Sequence, residues 1–325
     1  MGPRHASGEK HFTDHIFLST WPHAFVISIV GYAILLGFVN CTDIYDEQVS
    51  RQQAALSSIA YCKEARIENW DCATCQEFPG YVNVTALQGP RNARGFVALS
   101  IKESKQLKRK VSSPMVIEVA FAGTDVASIR NWMDDLEVFP VSHYYDRKRC
   151  RACKVHMGFL ATYEALQDDV LSTVTRLLKQ HPGVQVALTG HSLGGALAIL
   201  CALDLKAKIR GVDLAPLYLF GAPRVGNGAF AQFTASQDFQ IFRVIHNRDP
   251  VPHLPFMSWG FRHPPQEVLY DQAQNIHVVC SLETGEDATC SDRFPVAFDL
   301  MRMDDHTSYL GVDFSATYVH CALLV

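Results

Sequence analysis

The feature that most constrains this chain is Gly190-His191-Ser192-Leu193-Gly194-Gly195, set between a short apolar run and a longer one. Residues 184–188 before it read as a strand, and residues 194–208 after it as a nearly apolar helix that has to be buried against a sheet. A G-x-S-x-G sequence at such a strand-to-helix turn holds the serine in a strained backbone. The flanking glycines let strand and helix approach closely while Oγ stands clear. The helix N-terminus behind it aims N–H groups and a positive dipole end at developing negative charge. The pentapeptide alone recurs by chance; its position between strand and apolar helix makes Ser192 the candidate nucleophile.

The rest of the chain repeats that alternation. Residues 158–179 place Leu160, Tyr163, Leu166, Val170, Val174, Leu177 and Leu178 three and four apart, and His181-Pro182-Gly183 ends the run. Residues 115–121, 217–220 and 241–245 are short apolar runs of the kind buried strands show, and residues 46–61 carry Val49, Leu56, Ile59 and Ala60 at near-helical spacing. Strands alternating with helices predict an α/β fold. Among 325 residues, 48% hydrophobic against 19% charged supplies a large core, and a net charge of -4 lacks the basic footprint of a nucleic-acid binder. No repeat or linker divides the chain after residue 40, so residues 41–325 read as one catalytic domain.

The first 40 residues are different. Residues 24–39 are uncharged and apolar, long for a signal-peptide core and just short of the ~20 residues that span a bilayer comfortably. Residues 1–40 therefore read as a cleaved signal peptide or a retained signal-anchor, with a buried core helix a distant third. Both leading readings send the domain outside the cell or into the secretory lumen, membrane-anchored if the segment stays. Ten cysteines suit that compartment. Cys72-x-x-Cys75 and Cys150-x-x-Cys153 lie much farther apart than the ~15–20 residues of common zinc ribbons, so disulfides are expected and no metal or cofactor. Asn83-Val84-Thr85 fits the glycosylation acceptor pattern.

A serine hydroxyl is a poor nucleophile until a base takes its proton, so an acid and a histidine should follow Ser192, in that order. Asp249 lies just past the 241–245 run, at a strand end where catalytic acids sit, although an aspartate before Pro250 also serves as a simple turn cap. Five histidines follow it: His253, His263, His277, His306 and His320. Spacing does not choose among them; His306 ranks first because its polar loop comes late enough to fold back over the sheet. The oxyanion needs two donors, for which Leu193 N–H and Thr124, at the end of the 115–121 run, are candidates. Read blandly, Gly123-Thr124-Asp125 is a strand-ending turn. Residues 128–136 then read as a short amphipathic helix with Ile129, Trp132, Met133 and Leu136 on one face. That face either packs into the core or covers the site as a lid that opens at a lipid surface.

Six separated motifs run in order from about Tyr61 to Cys321: Trp70-Asp71-Cys72-x-x-Cys75, Ser128-Ile129-Arg130-Asn131-Trp132, Thr189-Gly190-His191-Ser192-Leu193-Gly194-Gly195-Ala196, Pro223-Arg224-Val225-Gly226-Asn227, Arg248-Asp249-x-Val251-Pro252-His253-Leu254-Pro255 and Asp305-His306-x-Ser308-Tyr309-x-Gly311. Together they resemble the filamentous-fungal class 3 triacylglycerol lipases of the Rhizomucor type. The resemblance implies an α/β-hydrolase-like fold, a mixed but mainly parallel sheet flanked by helices, with a short helical lid. It implies a Ser192, Asp249, His306 triad, Thr124 and Leu193 as oxyanion donors, and residues 128–136 as the lid. It also implies disulfides joining Cys62 to Cys321, Cys72 to Cys75 and Cys280 to Cys290, with Cys201 a packed thiol. Two places depart from it. Ala122 stands where family members often carry arginine, and the cationic loop 146–154, with Cys150 and Cys153, has no counterpart.

The activity so implied is carboxylic ester hydrolysis by a monomeric triacylglycerol lipase acting on acylglycerols at lipid–water interfaces. A phospholipase A1 is close in mechanism. A feruloyl-type esterase fits less well, because a soluble substrate needs no apolar lid. A catalytically inactive binding module is the remote alternative, opposed by the complete set of triad and oxyanion positions.

Overall fold

The four apolar runs of the sequence form the middle of an eight-stranded sheet. Its strands are β1 (Tyr81–Gln88), β2 (Arg94–Ser100), β3 (Val116–Phe121), β4 (Gln185–His191), β5 (Leu217–Phe220), β6 (Ile241–His246), β7 (Glu267–Tyr270) and β8 (His277–Val279), and they lie side by side in chain order. Strands β3 to β7 are mutually parallel. The pairs β1–β2, β2–β3 and β7–β8 are antiparallel. The computed structural model describes residues 45–101, 115–125, 128–129, 143–144, 148–294, 302–316 and 321. The expected leader over residues 1–40, the lid residues Trp132, Met133 and Leu136, and His320 lie outside them.

The three longest helices among the described residues cover the sheet. Helix α1 (Glu47–Ile59) starts at Asp46, whose carboxylate caps the N–H groups of Gln48 and Val49 at 2.8 and 3.0 Å. Its buried Leu56 and Ile59 share a cluster with Phe96, Tyr218, Phe220 and Phe242. On the other face α2 (Met157–Gln180) and α3 (Leu193–Lys208) pack Leu166, Val170, Val174, Leu197 and Leu200 against Val119, Leu188, Leu217 and Leu219. Along β5, Leu217 and Leu219 point to one cluster and Tyr218 and Phe220 to the other, the period-two alternation of a strand buried on both sides. Helix α3 is buried from Gly194 to Leu205, as a helix apolar all round has to be.

Because β3, β4, β5 and β6 run parallel, their C-terminal ends meet at one end of the sheet. Thr124, Ser192 and Asp249 each follow one of those ends, where open α/β sheets place their sites. Two-residue strands at Lys154–Val155, Gly226–Asn227 and Phe261–Arg262 join His143–Tyr144 in a second, four-stranded sheet.

Candidate active site

Ser192 stands between β4 and α3 with φ 58° and ψ -129°, a backbone conformation that costs a side-chain-bearing residue on the order of 1–3 kcal/mol. The surroundings enforce it. Ser192 N–H donates to Phe220 C=O at 2.8 Å, and Gly195 N–H to Ser192 C=O at 3.0 Å. A Cβ on Gly190 would overlap the Gly194 backbone, and one on Gly194 would overlap the Phe121 carbonyl, so strand, turn and helix close only with glycine at both places. Ser192 is fully buried, and its Oγ has no hydrogen-bond partner among the described residues.

His306 lies on a five-residue helix, Met303–Thr307, brought to the same corner by its neighbour. The Asp305 carboxylate accepts Asn247 Nδ2–H at 2.9 Å and Arg248 N–H at 3.2 Å, which ties the helix to the loop after β6. His306 Nδ1 then meets both oxygens of Asp249, at 3.0 and 2.8 Å, with both side chains fully buried. The carboxylate accepts, so Nδ1 carries the proton and Nε2 is left as a bare base without a partner among the described residues. Asp249 also accepts Val251 N–H at 2.8 Å and the Tyr309 hydroxyl. Burial, and then the Asp249 charge, push the Tyr309 hydroxyl well above the ordinary tyrosine value, so it stays a protonated donor. Ser192 Oγ and His306 Nε2 are not hydrogen-bonded to each other; such pairs commonly tighten only with substrate bound.

Gly123, at the end of β3, presses directly on Ser192: a Cβ there would collide with Ser192 Cβ, the His191 carbonyl and the Tyr61 hydroxyl. Thr124 follows, half-buried, and Leu193 opens α3 with its N–H in the helix's first turn. Ala122 is buried and uncharged. An ion pair at this place comes instead from β2, where Arg94 reaches Asp125 at 2.5 Å and donates to Tyr61 C=O at 3.3 Å. Ile129, expected on the lid's apolar face, is buried.

The sequence pattern of the family described as Lipase (class 3) matches residues 118–259. A lipase from Rhizomucor miehei is 34% identical over 79% of this chain and 67% of its own length. The solved lipase II from Rhizopus niveus is 31% identical, with a TM-score of 0.70 over 83% of this chain and 96% of that one. The chain belongs to the class 3 lipase family. A further solved structure, described as a triacylglycerol lipase whose catalytic centre is a serine protease triad, is 33% identical, with a TM-score of 0.68 over 83% of this chain and 96% of that one. Matches to the curated Rhizomucor and Rhizopus lipases span between 62% and 67% of those relatives' own lengths.

Within this class 3 lipase, the described histidines that follow Asp249 separate cleanly. His253 is buried 3.5 Å from Asp292, His263 bonds the Pro252 carbonyl at 2.8 Å, and His277 is part-exposed beside Tyr45 and Tyr270. Of these only His306 hydrogen-bonds a carboxylate through one nitrogen, at 2.8 Å, and leaves the other without a partner; the carboxylates nearest His253 and His277 stand at 3.5 Å. Disulfides join Cys62 to Cys321, Cys72 to Cys75, Cys280 to Cys290, and also Cys150 to Cys153, while Cys201 is a buried free thiol. The one grouping of metal-type side chains among the described residues, Glu267 with Cys280 and Cys290, has both sulfurs committed to a disulfide. Tyr61, His191 and Tyr309 are the site's unforeseen members. Tyr309 and His191 fall within motifs of the resemblance that assign them no role, and nothing in the spacing of Tyr61 announces its own.

Proposed function

We propose that the protein is a lipase that hydrolyses acylglycerol esters at lipid–water interfaces through Ser192, His306 and Asp249. The observation that carries this reading is the buried Asp249–His306 pair, with its bare Nε2, beside a serine on a strained strand-to-helix turn. Nε2 takes the hydroxyl proton as Oγ attacks the ester carbonyl, and Asp249 stabilises the imidazolium that forms. Leu193 N–H and Thr124 meet the oxyanion. Collapse breaks the C–O bond, the alcohol leaves with the proton from Nε2, and water, deprotonated at the same nitrogen, hydrolyses the acyl-enzyme.

Residues 128–136 form the lid in this reading, with Ile129, Trp132, Met133 and Leu136 as its apolar face. Residues 1–40 act as the leader, and residues 41–325 as a monomeric, secreted catalytic domain; similar proteins include secreted mono- and diacylglycerol lipases of Penicillium. The disulfides support an oxidising compartment. Asn83, exposed and left-handed at a bulge in edge strand β1, then accepts a glycan. A fluorophosphonate probe should label wild-type protein and not Ser192→Ala. Hydrolysis of triglyceride, phospholipid and feruloyl esters by the same preparation tests the substrate class, and a preference for phospholipid would replace the triglyceride reading.

A further inference from the structure

The residue between Gly190 and Ser192 is a fully buried histidine that the reaction, as described, does not use. Its ring lies flat on Phe314, with centroids 3.9 Å apart and planes at 14°, and 4.6 Å from the His306 ring. Both its nitrogens are engaged. Nε2 meets the His306 backbone carbonyl at 2.8 Å, and Nδ1 meets Tyr61 Oη at 2.8 Å. A carbonyl oxygen only accepts, so Nε2 carries the hydrogen, Nδ1 is bare, and the tyrosine hydroxyl must donate. One neutral tautomer satisfies the whole chain. Burial first, and the neighbouring His306 second, hold this imidazole well below the ordinary histidine value, which keeps it neutral.

The Tyr61 hydroxyl in turn packs closely on Gly123, in the loop that leads to Thr124, leaving no room there for a Cβ. One hydrogen-bonded path thus runs from Tyr61 through His191 to the backbone of His306, and its Tyr61 end is packed against the oxyanion loop. Asp249 fixes the far side of the His306 ring, and His191 fixes the main chain from which that ring hangs. Tyr61 is itself pinned, because the next residue, Cys62, is joined to Cys321.

We propose that His191 and Tyr61 are positioning residues of the hydrolysis: the Tyr61 hydroxyl locks His191 in the Nε2–H tautomer, and that N–H holds the His306 backbone in register with Ser192. The inference rests on the triad reading above. Small displacements of a catalytic base are costly, with a shift of about 1 Å able to cost about 100-fold in rate.

The test uses the full chain, a soluble p-nitrophenyl ester with kcat and KM measured separately, and the rate at which a fluorophosphonate labels Ser192. Tyr61→Phe, nearly isosteric, should lower kcat and the labelling rate about tenfold with KM within about twofold. His191→Leu should lower both about 100-fold, and His191→Gln, whose amide N–H can still reach the His306 carbonyl, should recover about tenfold of that. Thermal unfolding of each variant checks that the fold survives. Equal losses in the leucine and glutamine variants, a wild-type rate in Tyr61→Phe, or losses confined to KM would overturn the proposal. If wild-type protein turns over no ester yet is labelled, the substrate reading fails while the labelling series still decides this one. A wild-type Ser192 that never reacts with the probe sinks both.

Discussion

Two buried polar regions lie close in sequence and behave differently. In one, Arg224 donates twice to Glu286, at 2.9 and 2.8 Å, and also to the His253 carbonyl, while Arg243 donates to Pro264 C=O at 2.8 Å and Gly285 C=O at 2.7 Å. Glu267 accepts Ser291 N–H at 2.8 Å and its hydroxyl at 3.0 Å. These contacts tie the loop closed by Cys280–Cys290 to the sheet. In the other region Asp249, His306 and Tyr309 direct every strong bond at the carboxylate and leave Nε2 and Ser192 Oγ unengaged. Missing partners alone do not mark a reacting atom, since both nitrogens of His253 also lack a hydrogen bond. What distinguishes His306 is a hydrogen-bonded carboxylate that orients the ring and a backbone held by His191, the residue before Ser192.

The largest expected effect breaks that second region. Ser192→Ala and His306→Ala should each lower kcat by about 10,000-fold or more with the fold intact, and Asp249→Asn by about 10,000-fold, since it no longer fixes the tautomer. His253→Ala should retain activity within a few-fold. A dead His253 variant beside an active His306 variant would reverse the assignment.

Next comes the ionic region, where the damage should fall on stability. Glu286→Gln takes from Arg224, only 2% exposed, its two-bond carboxylate and leaves it Asp292 at 3.5 Å, so the cost should fall below the ~3–5 kcal/mol of a buried pair fully broken on one side. The double variant Arg224→Met with Glu286→Leu should unfold at a higher temperature than Glu286→Gln alone. Both should keep near-normal kcat while folded. A tenfold kcat loss in the folded single variant would show that the two regions are coupled.

A third buried histidine sharpens the contrast. His156, its ring tilted against Phe159 with centroids 4.3 Å apart, has no hydrogen-bond partner for either nitrogen among the described residues, and burial lowers its pKa from 6.5 to about 4. The unfolded chain takes up this proton as pH falls through about 6.5, while the folded chain refuses it until about 4, so protonation favours unfolding across that window. The stability it allows is complete above pH 6.5 and is lost toward pH 4, about 3 kcal/mol in all. Denaturant unfolding at pH 7 and 4.5 should show a smaller acid loss in His156→Leu than in wild type. Equal losses would mean that His156 is solvated.

How much of this was legible follows from burial. The parallel core strands β3 to β6 are covered on both faces and read as apolar runs, so pattern finds them. Strand β1 escapes because Asn83, left-handed at its bulge, breaks the alternation, and β7 because it has four residues led by the buried carboxylate of Glu267. The two-residue strands have no period at all. At the site, Ser192 announced itself by its turn. A late polar loop ranks His306 first among five histidines but only the family resemblance separates it from the other four, because Asp305 docks its helix through contacts with residues 247 and 248 that no local spacing encodes. In the sequence Arg243 is only one position of an apolar strand run, because its partners lie more than twenty residues away.

The smallest expected effect concerns Tyr309, which touches the triad without belonging to it. Its hydroxyl donates to Asp249 and accepts His246 N–H at 3.3 Å, while its ring packs edge-on against Phe220 at 5.9 Å. Tyr309→Phe keeps the ring and removes one of the three donors around the Asp249 carboxylate. A hydrogen bond to a charged group contributes about 1.5–3 kcal/mol, so stability should fall by that order. The Nδ1–H and Val251 N–H bonds remain, so the carboxylate still orients His306. The expected kcat loss is therefore only about tenfold, far short of that for Asp249→Asn. A loss as large as that of Asp249→Asn would mean that the hydroxyl, and not His306, is the donor that fixes the carboxylate. An unchanged kcat with reduced stability would confine Tyr309 to holding the fold.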